Sequence, residues 1–184
     1  MERVEQLVFG PTMEGLFIKG LKGKLSRELI EQLKLRGLDL DKPLLPAYPR
    51  TVVTDVVLHT ARSLYPDLSE SDAMYQVGKH VTPGQANTIL GAATLKVLRL
   101  VGPHRTIERL ARTFRTTNNY MTVTLTRAST SSYELELTPS NEYPSYMQAV
   151  IEDMLALTGA KDVEVKVLLH DTARELCRYG ISWR

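Results

Sequence analysis

The last third of the chain alternates apolar and polar residues so regularly that it can be divided into elements with almost nothing left over. Residues 119–127 (NYMTVTLTR) and 133–138 (YELELT) put an apolar side chain at every second position. That is the period of a strand with one covered face. Tyr143 to Leu157 carries its apolar residues at helical spacing and stops at Gly159, and residues 162–169 (DVEVKVLL) and 176–183 (LCRYGISW) alternate again. The pattern predicts an antiparallel β-β-α-β-β unit.

Upstream the period changes to that of helices. Residues 4–9 predict a short strand closed by Gly10-Pro11, and Met13 to Leu21 a short helix interrupted by Gly15 and Gly20. Ser26 stands where an N-cap belongs for a helix from Arg27 to Arg36, with Gly37 as its left-handed terminator. Three prolines make 38–49 a loop. Pro49 then opens a helix whose buried stripe is Val52, Val53, Val56, Val57 and Leu64, ending near Tyr65-Pro66. Ser69 with Asp72 forms a capping box for a helix over about 70–81, and Thr82-Pro83-Gly84-Gln85 repeats that logic, predicting a sharp corner at Thr82. The helix from Pro83 to Val101 is apolar or small nearly all round, with charge only at Lys96 and Arg99. Such a helix is expected at the centre of the molecule, so that Leu95→Ala would cost on the order of 2–5 kcal/mol. Gly102-Pro103 ends it and starts an amphipathic one from His104 to Arg115, with Ile107, Leu110, Ala111 and Phe114 opposite Arg105, Glu108, Arg109, Arg112 and Arg115. The whole predicts one α+β domain over 1–184, a helical part (1–117) packed on an antiparallel sheet part (118–184).

Composition narrows the class. The 184 residues, 43% hydrophobic and 24% charged with a net charge of +2, describe an ordinary globular chain able to bury a sizeable core. Nothing in that balance marks a nucleic-acid binder. The longest apolar run, within 89–101, is too short and too charged to span a bilayer, and MERVEQ is not a secretory leader. A cytoplasmic protein is expected. The single cysteine, Cys177, falls in the last strand and reads as a buried core residue.

Chemistry is sparsely signalled. His59, His80, His104 and His170 are scattered without ligand spacing, so no metal site is expected. Gly15, Gly20 and Gly23 lack the ending of a phosphate loop, and Ser129, Ser131 and Ser132 sit in a hairpin turn. No catalytic set assembles, and the chain reads as no enzyme. Two features suggest binding. Arg105, Arg109 and Arg112, with Arg115 beyond, lie within about 60° on one helix face and could meet phosphate or an acidic partner, or form a solvated face. The small residues Gly84, Thr88, Gly91 and Ala92 serve either close helix packing or the roof of an apolar pocket, with Phe114, Tyr120, Tyr143 and Tyr146 as aromatic lining or core.

Several of these segments carry a resemblance. VFGPTMEGLF (8–17), the junctions Tyr48-Pro49 and Tyr65-Pro66, VGKHV (77–81), LVGPHRTIERL (100–110), RTTNNY (115–120) and YGISW (179–183) resemble an uncharacterised myxobacterial family of paralogous proteins of about this length. In its order of elements the chain is similar to the wider superfamily of haem-nitric-oxide-binding sensor domains, four-vinyl-reductase domains and TRAPP vesicle-tethering subunits. The resemblance implies that fold and a bacterial signalling role. The haem sensors use a helix histidine as iron ligand and a Tyr-x-Ser-x-Arg motif for the haem propionates; here Glu136, Thr138 and Ser140 stand at those three positions, and His104 falls nearly a turn early. The resemblance therefore implies a non-enzymatic regulatory or sensory domain binding a small molecule or a protein partner without haem. Its alternatives are a haem gas sensor with His104 as axial ligand and a purely structural interaction module; a homodimer is compatible with each.

Overall fold

The computed structural model describes residues 5–140 and 142–184. Val4, expected in the first strand, and the side chain of Ala111, expected on a buried stripe, lie outside the described set. The chain runs through β1 (Leu7–Phe9), α1 (Gly10–Met13) continuing into a π-helical segment (Glu14–Gly20), α2 (Arg27–Leu35), β2 (Ala47–Pro49), α3 (Arg50–Leu64), α4 (Glu70–Gly78), α5 (Val81–Ala86), α6 (Ile89–Glu108) and α7 (Leu110–Arg115). The second part is β3 (Thr122–Arg127), β4 (Ser132–Thr138), α8 (Pro144–Leu157), β5 (Glu164–Asp171) and β6 (Leu176–Ser182).

The β-β-α-β-β unit forms as the alternation predicts, an antiparallel sheet in the order β3-β4-β6-β5. Register follows the apolar positions: Tyr133 faces Ile181, Leu135 faces Tyr179 and Leu137 faces Cys177, all six buried on one side. Local signals in the helical part hold as well. Ser26 Oγ accepts from Leu29 N at 3.1 Å, Ser69 Oγ from Asp72 N at 3.2 Å, and Gly37 has φ 101°. The proline-rich loop ends in a strand rather than running into the next helix, because β2 pairs with β1, Val8 opposite Tyr48. β1 also receives the junction between the two parts: Phe9 N donates to Thr117 O at 2.8 Å and Asn119 N to Leu7 O at 3.1 Å.

Two expectations fail between residues 79 and 108. The corner falls at Lys79-His80, not Thr82, whose hydroxyl lies inside α5 and donates to Val150 O at 3.2 Å. The cap moves to Thr88, which accepts from Gly91 N at 3.0 Å, so the expected helix from Pro83 to Val101 becomes α5 and the first part of α6. Gly102, at φ 75° and ψ 175°, then breaks α6 ahead of Pro103.

Nor is α6 the central helix. Ile89 is 96% exposed and Leu100 88%; Leu98 is the one large apolar residue between 89 and 101 that is fully buried. The centre is α8, which buries Met147, Ala149, Ile151, Met154 and Leu155. Its acids are taken up by α4: Tyr75 Oη donates to Glu152 at 2.5 Å, which pushes the Tyr75 phenol up to about 12, and Lys79 pairs with Asp153. The helices touch closely, since a Cβ on Gly78 would lie 2.5 Å from Tyr146 O.

Burial also sets a pH dependence. Desolvation, reinforced by Lys24, lowers the pKa of His80, and desolvation with Arg36 lowers that of the more open His59. A histidine whose folded pKa lies below its unfolded value, near 6.5, opposes protonation of the native state. Stability should be complete above about pH 6.5 and fall as the pH drops from there toward the depressed folded values. Urea midpoints measured between about pH 7.5 and 5.5 should decline, and His80→Gln should flatten the decline. An unchanged slope in that variant would remove His80 as the cause.

Candidate functional site

The two parts carry separate cores, one beneath the sheet and one among α2, α3, α4 and the π-helical segment, and they do not close fully on each other. Tyr120, Tyr146 and Val150 pack against both. Between the cores lies a cavity of about 270 Å³. Val53, Val57 and Met74 line it from the helical side, Phe114, Met121, Met147 and Ile151 from the sheet side, and Leu90, Thr94, Leu95 and Leu98 of α6 cover it. The cavity accounts for the apolar residues on one side of α6, while Ile89, Val97 and Leu100 face solvent.

Of the residues that could line a pocket, Thr88, Gly91, Phe114, Tyr120 and Tyr146 lie on this cavity, while Gly84 and Ala92 do not. Thr88 and Gly91 also build the corner between α5 and α6, where a Cβ on Gly91 would overlap Gln85 O. Gly84 has the packing role alone, with Gly15 O occupying the place its Cβ would need. The small-residue face therefore divides between the two uses foreseen for it. Tyr143 lines the cavity too, but its hydroxyl donates to Glu70 at 2.5 Å, pushing the phenol up to about 12, and Arg62 holds Glu70 from the other side.

Sequence reasoning missed Arg50. It begins α3 on the helical side, lines the cavity, and sits 5.3 Å from the Tyr120 ring centre. Its Nη2 donates to Ser140 O at 2.7 Å and its Nη1 to Gln6 Oε1 at 2.9 Å, with Glu175 at 3.0 Å. Arg50 thus reaches Ser140 from another element. No sequence pattern links positions 50 and 140.

His104 lies elsewhere. Its Nδ1 is 2.9 Å from Tyr133 Oη, and its ring meets Tyr133 and Trp183 edge-on beneath the sheet. Arg105, Arg109, Arg112 and Arg115 are all exposed, while Ile107, Leu110 and Phe114 are buried behind them. Among the described residues none of the four forms a salt bridge. Changing Arg105, Arg109 and Arg112 together to Gln should therefore shift unfolding free energy by no more than about 0.5 kcal/mol per site. A loss of several kcal/mol in a denaturant titration would show that the stripe is held by the fold.

A family model described as a protein of unknown function, DUF2378, matches residues 6–184. The chain belongs to that family. No curated protein sequence matches it. Solved structures show the fold. A variant of Tt H-NOX superposes with a TM-score of 0.67 at 14% identity, covering 96% of this chain and 95% of that one. An oxygen-binding H-NOX domain related to soluble guanylate cyclases gives 0.63 at 13% identity, with 96% and 95% covered. The unliganded Fe(II) H-NOX protein from K. algicida gives 0.54 at 11% identity, with 95% of each chain covered. This DUF2378 chain is thus an α+β domain with the H-NOX-like arrangement.

Its residues do not fit a histidine-held haem. No described histidine or cysteine lines the cavity, and His104 is engaged with Tyr133. At the positions of the propionate motif, Glu136 pairs with Arg178 at 2.9 Å, and Ser140 is buried with its carbonyl taken by Arg50. Among the described residues no group of three His, Cys, Asp or Glu could hold a metal ion.

Proposed function

We propose that this DUF2378 protein is a non-catalytic sensory domain that binds an apolar small molecule, without haem, between its helical part and its sheet. The carrying observation is the cavity itself, lined by Val, Leu, Met, Ile and Phe with threonines between them and placed where the two cores fail to meet. Apolar, largely preformed clefts of on the order of 300–1,000 Å³ are the usual ligand sites of proteins, and this one is close to that range. The H-NOX-like fold supports a sensory reading by analogy. Occupancy would be transmitted through α6, because the helix that covers the cavity also has an outer face open to solvent. No helix is long and apolar enough to cross a membrane.

N-phenyl-1-naphthylamine, an apolar fluorophore, tests the reading. Its emission should rise saturably with the wild-type protein. Thr94→Trp, which places an indole into the cavity from its exposed covering helix, should abolish the rise while leaving the urea midpoint nearly unchanged. Equal emission from both proteins would place the fluorophore outside the cavity and remove the reading's support.

A further inference from the structure

The cavity is not uniformly apolar, and three of its polar lining residues, Arg50, Tyr120 and Tyr146, offer donors. Tyr146 lines it with a phenol whose pKa is driven up by burial and further by the neighbouring Tyr120, and Tyr120 is itself raised by burial. Among the described residues neither hydroxyl is hydrogen-bonded to protein. Both residues are half-buried on the cavity wall, and ligand sites commonly leave such donors for the ligand to satisfy. Beside Tyr120 stands the Arg50 guanidinium, whose side chain is only 17% exposed. Three of its five N–H groups are directed to Gln6, Ser140 and Glu175, which leaves Nε–H and one Nη2 hydrogen unassigned.

We propose, on the basis of the ligand-binding reading above, that the cavity takes a long-chain carboxylic acid, with its carboxylate against Arg50, Tyr120 and Tyr146 and its alkyl chain among the apolar residues beneath α6. These three residues offer donors, namely two phenol O–H groups and a guanidinium, and a carboxylate is an acceptor-only group with room for several of them. Beneath α6 the wall offers Leu95, Leu98, Val57, Met147 and Ile151 to hydrocarbon, with threonines between them. Two acids lie nearby. Glu175 meets Arg50 but is half exposed, so water screens its hold on the cation. Glu142 is on the wall and exposed to solvent, so it can turn outward when an anion enters.

The test is competition between dodecanoic acid, its methyl ester and dodecanol for the N-phenyl-1-naphthylamine site, with direct calorimetry of dodecanoate alongside. The acid should bind about ten- to hundredfold more tightly than the ester, the size of one charge-assisted hydrogen bond. Arg50→Gln and, separately, Tyr146→Phe should each reduce that preference, weakening the acid more than the ester. Arg50 also ties Ser140 and Gln6, so Tyr146→Phe, which removes only a hydroxyl, decides the matter if Arg50→Gln fails to fold. Equal binding of acid, ester and alcohol, or a preference unchanged in Tyr146→Phe, overturns the carboxylate assignment but leaves an apolar ligand site standing. Failure of the fluorophore and of all three alkyl compounds to bind overturns both.

Discussion

Leu155→Ala is expected to cost on the order of 2–5 kcal/mol of unfolding free energy, while Leu100→Ala should cost no more than about 0.5 kcal/mol. Leu155 lies on α8, fully buried in the sheet core, so truncating it removes apolar contacts and leaves a void that the close-packed neighbours fill only in part. Leu100 is 88% exposed on α6 and loses little by truncation. Leu95 falls between them. It is half-buried and faces the cavity, so its methyl groups are incompletely packed and Leu95→Ala should cost less than the central-helix reading of the sequence implies. Urea titrations of the three variants rank the helices directly. If Leu100 proved as costly as Leu155, α6 would belong to the core and the cavity would be closed.

Gly84→Ala should destabilise by about 1–3 kcal/mol or more although it adds a single methyl group. Its Cβ would overlap Gly15 O and lie 2.8 Å from Gly20 Cα, so backbone must separate where α5 crosses the π-helical segment. Gly15→Ala makes a sharp comparison. There the overlapping atoms belong to the Gln85 side chain, which can swing away at the expense of its bonds to Pro11 O and Thr12 O. Gly15→Ala should therefore be the milder change. Equal midpoints for the two variants would show that the crossing yields as a whole.

The contrast between α8 and α6 shows what could be read from the residues and what could not. Alternation and caps are local, and so the four long strands, the helix from Tyr143 and the caps at Ser26 and Ser69 are written in a few consecutive residues each. Burial depends on partners. Glu152 and Asp153 look solvent-facing until Tyr75 and Lys79 are brought to them, and the apolar circumference of α6 looks like a core helix until one side of it is found against a cavity. The same limit governs the site. Thr88, Gly91, Phe114, Tyr120 and Tyr146 could be read as either packing or pocket wall, and only the meeting of their elements places them on the cavity. Arg50 was not legible: its meeting with Ser140 spans 90 positions and depends on the helical part docking against the end of β4. The glycines at 15, 20 and 84 were visible, but only the crossing of two helices gives them a common reason.

Native mass spectrometry with equimolar haem and N-phenyl-1-naphthylamine offered together to the purified protein tests the central claim most directly, because it makes the two occupants compete for one cavity. The wild-type protein should carry one fluorophore per chain and no haem, with no Soret band in the matching absorbance spectrum, and Thr94→Trp should carry neither. A one-to-one haem adduct with a sharp Soret band, displacing the fluorophore, would contradict the account.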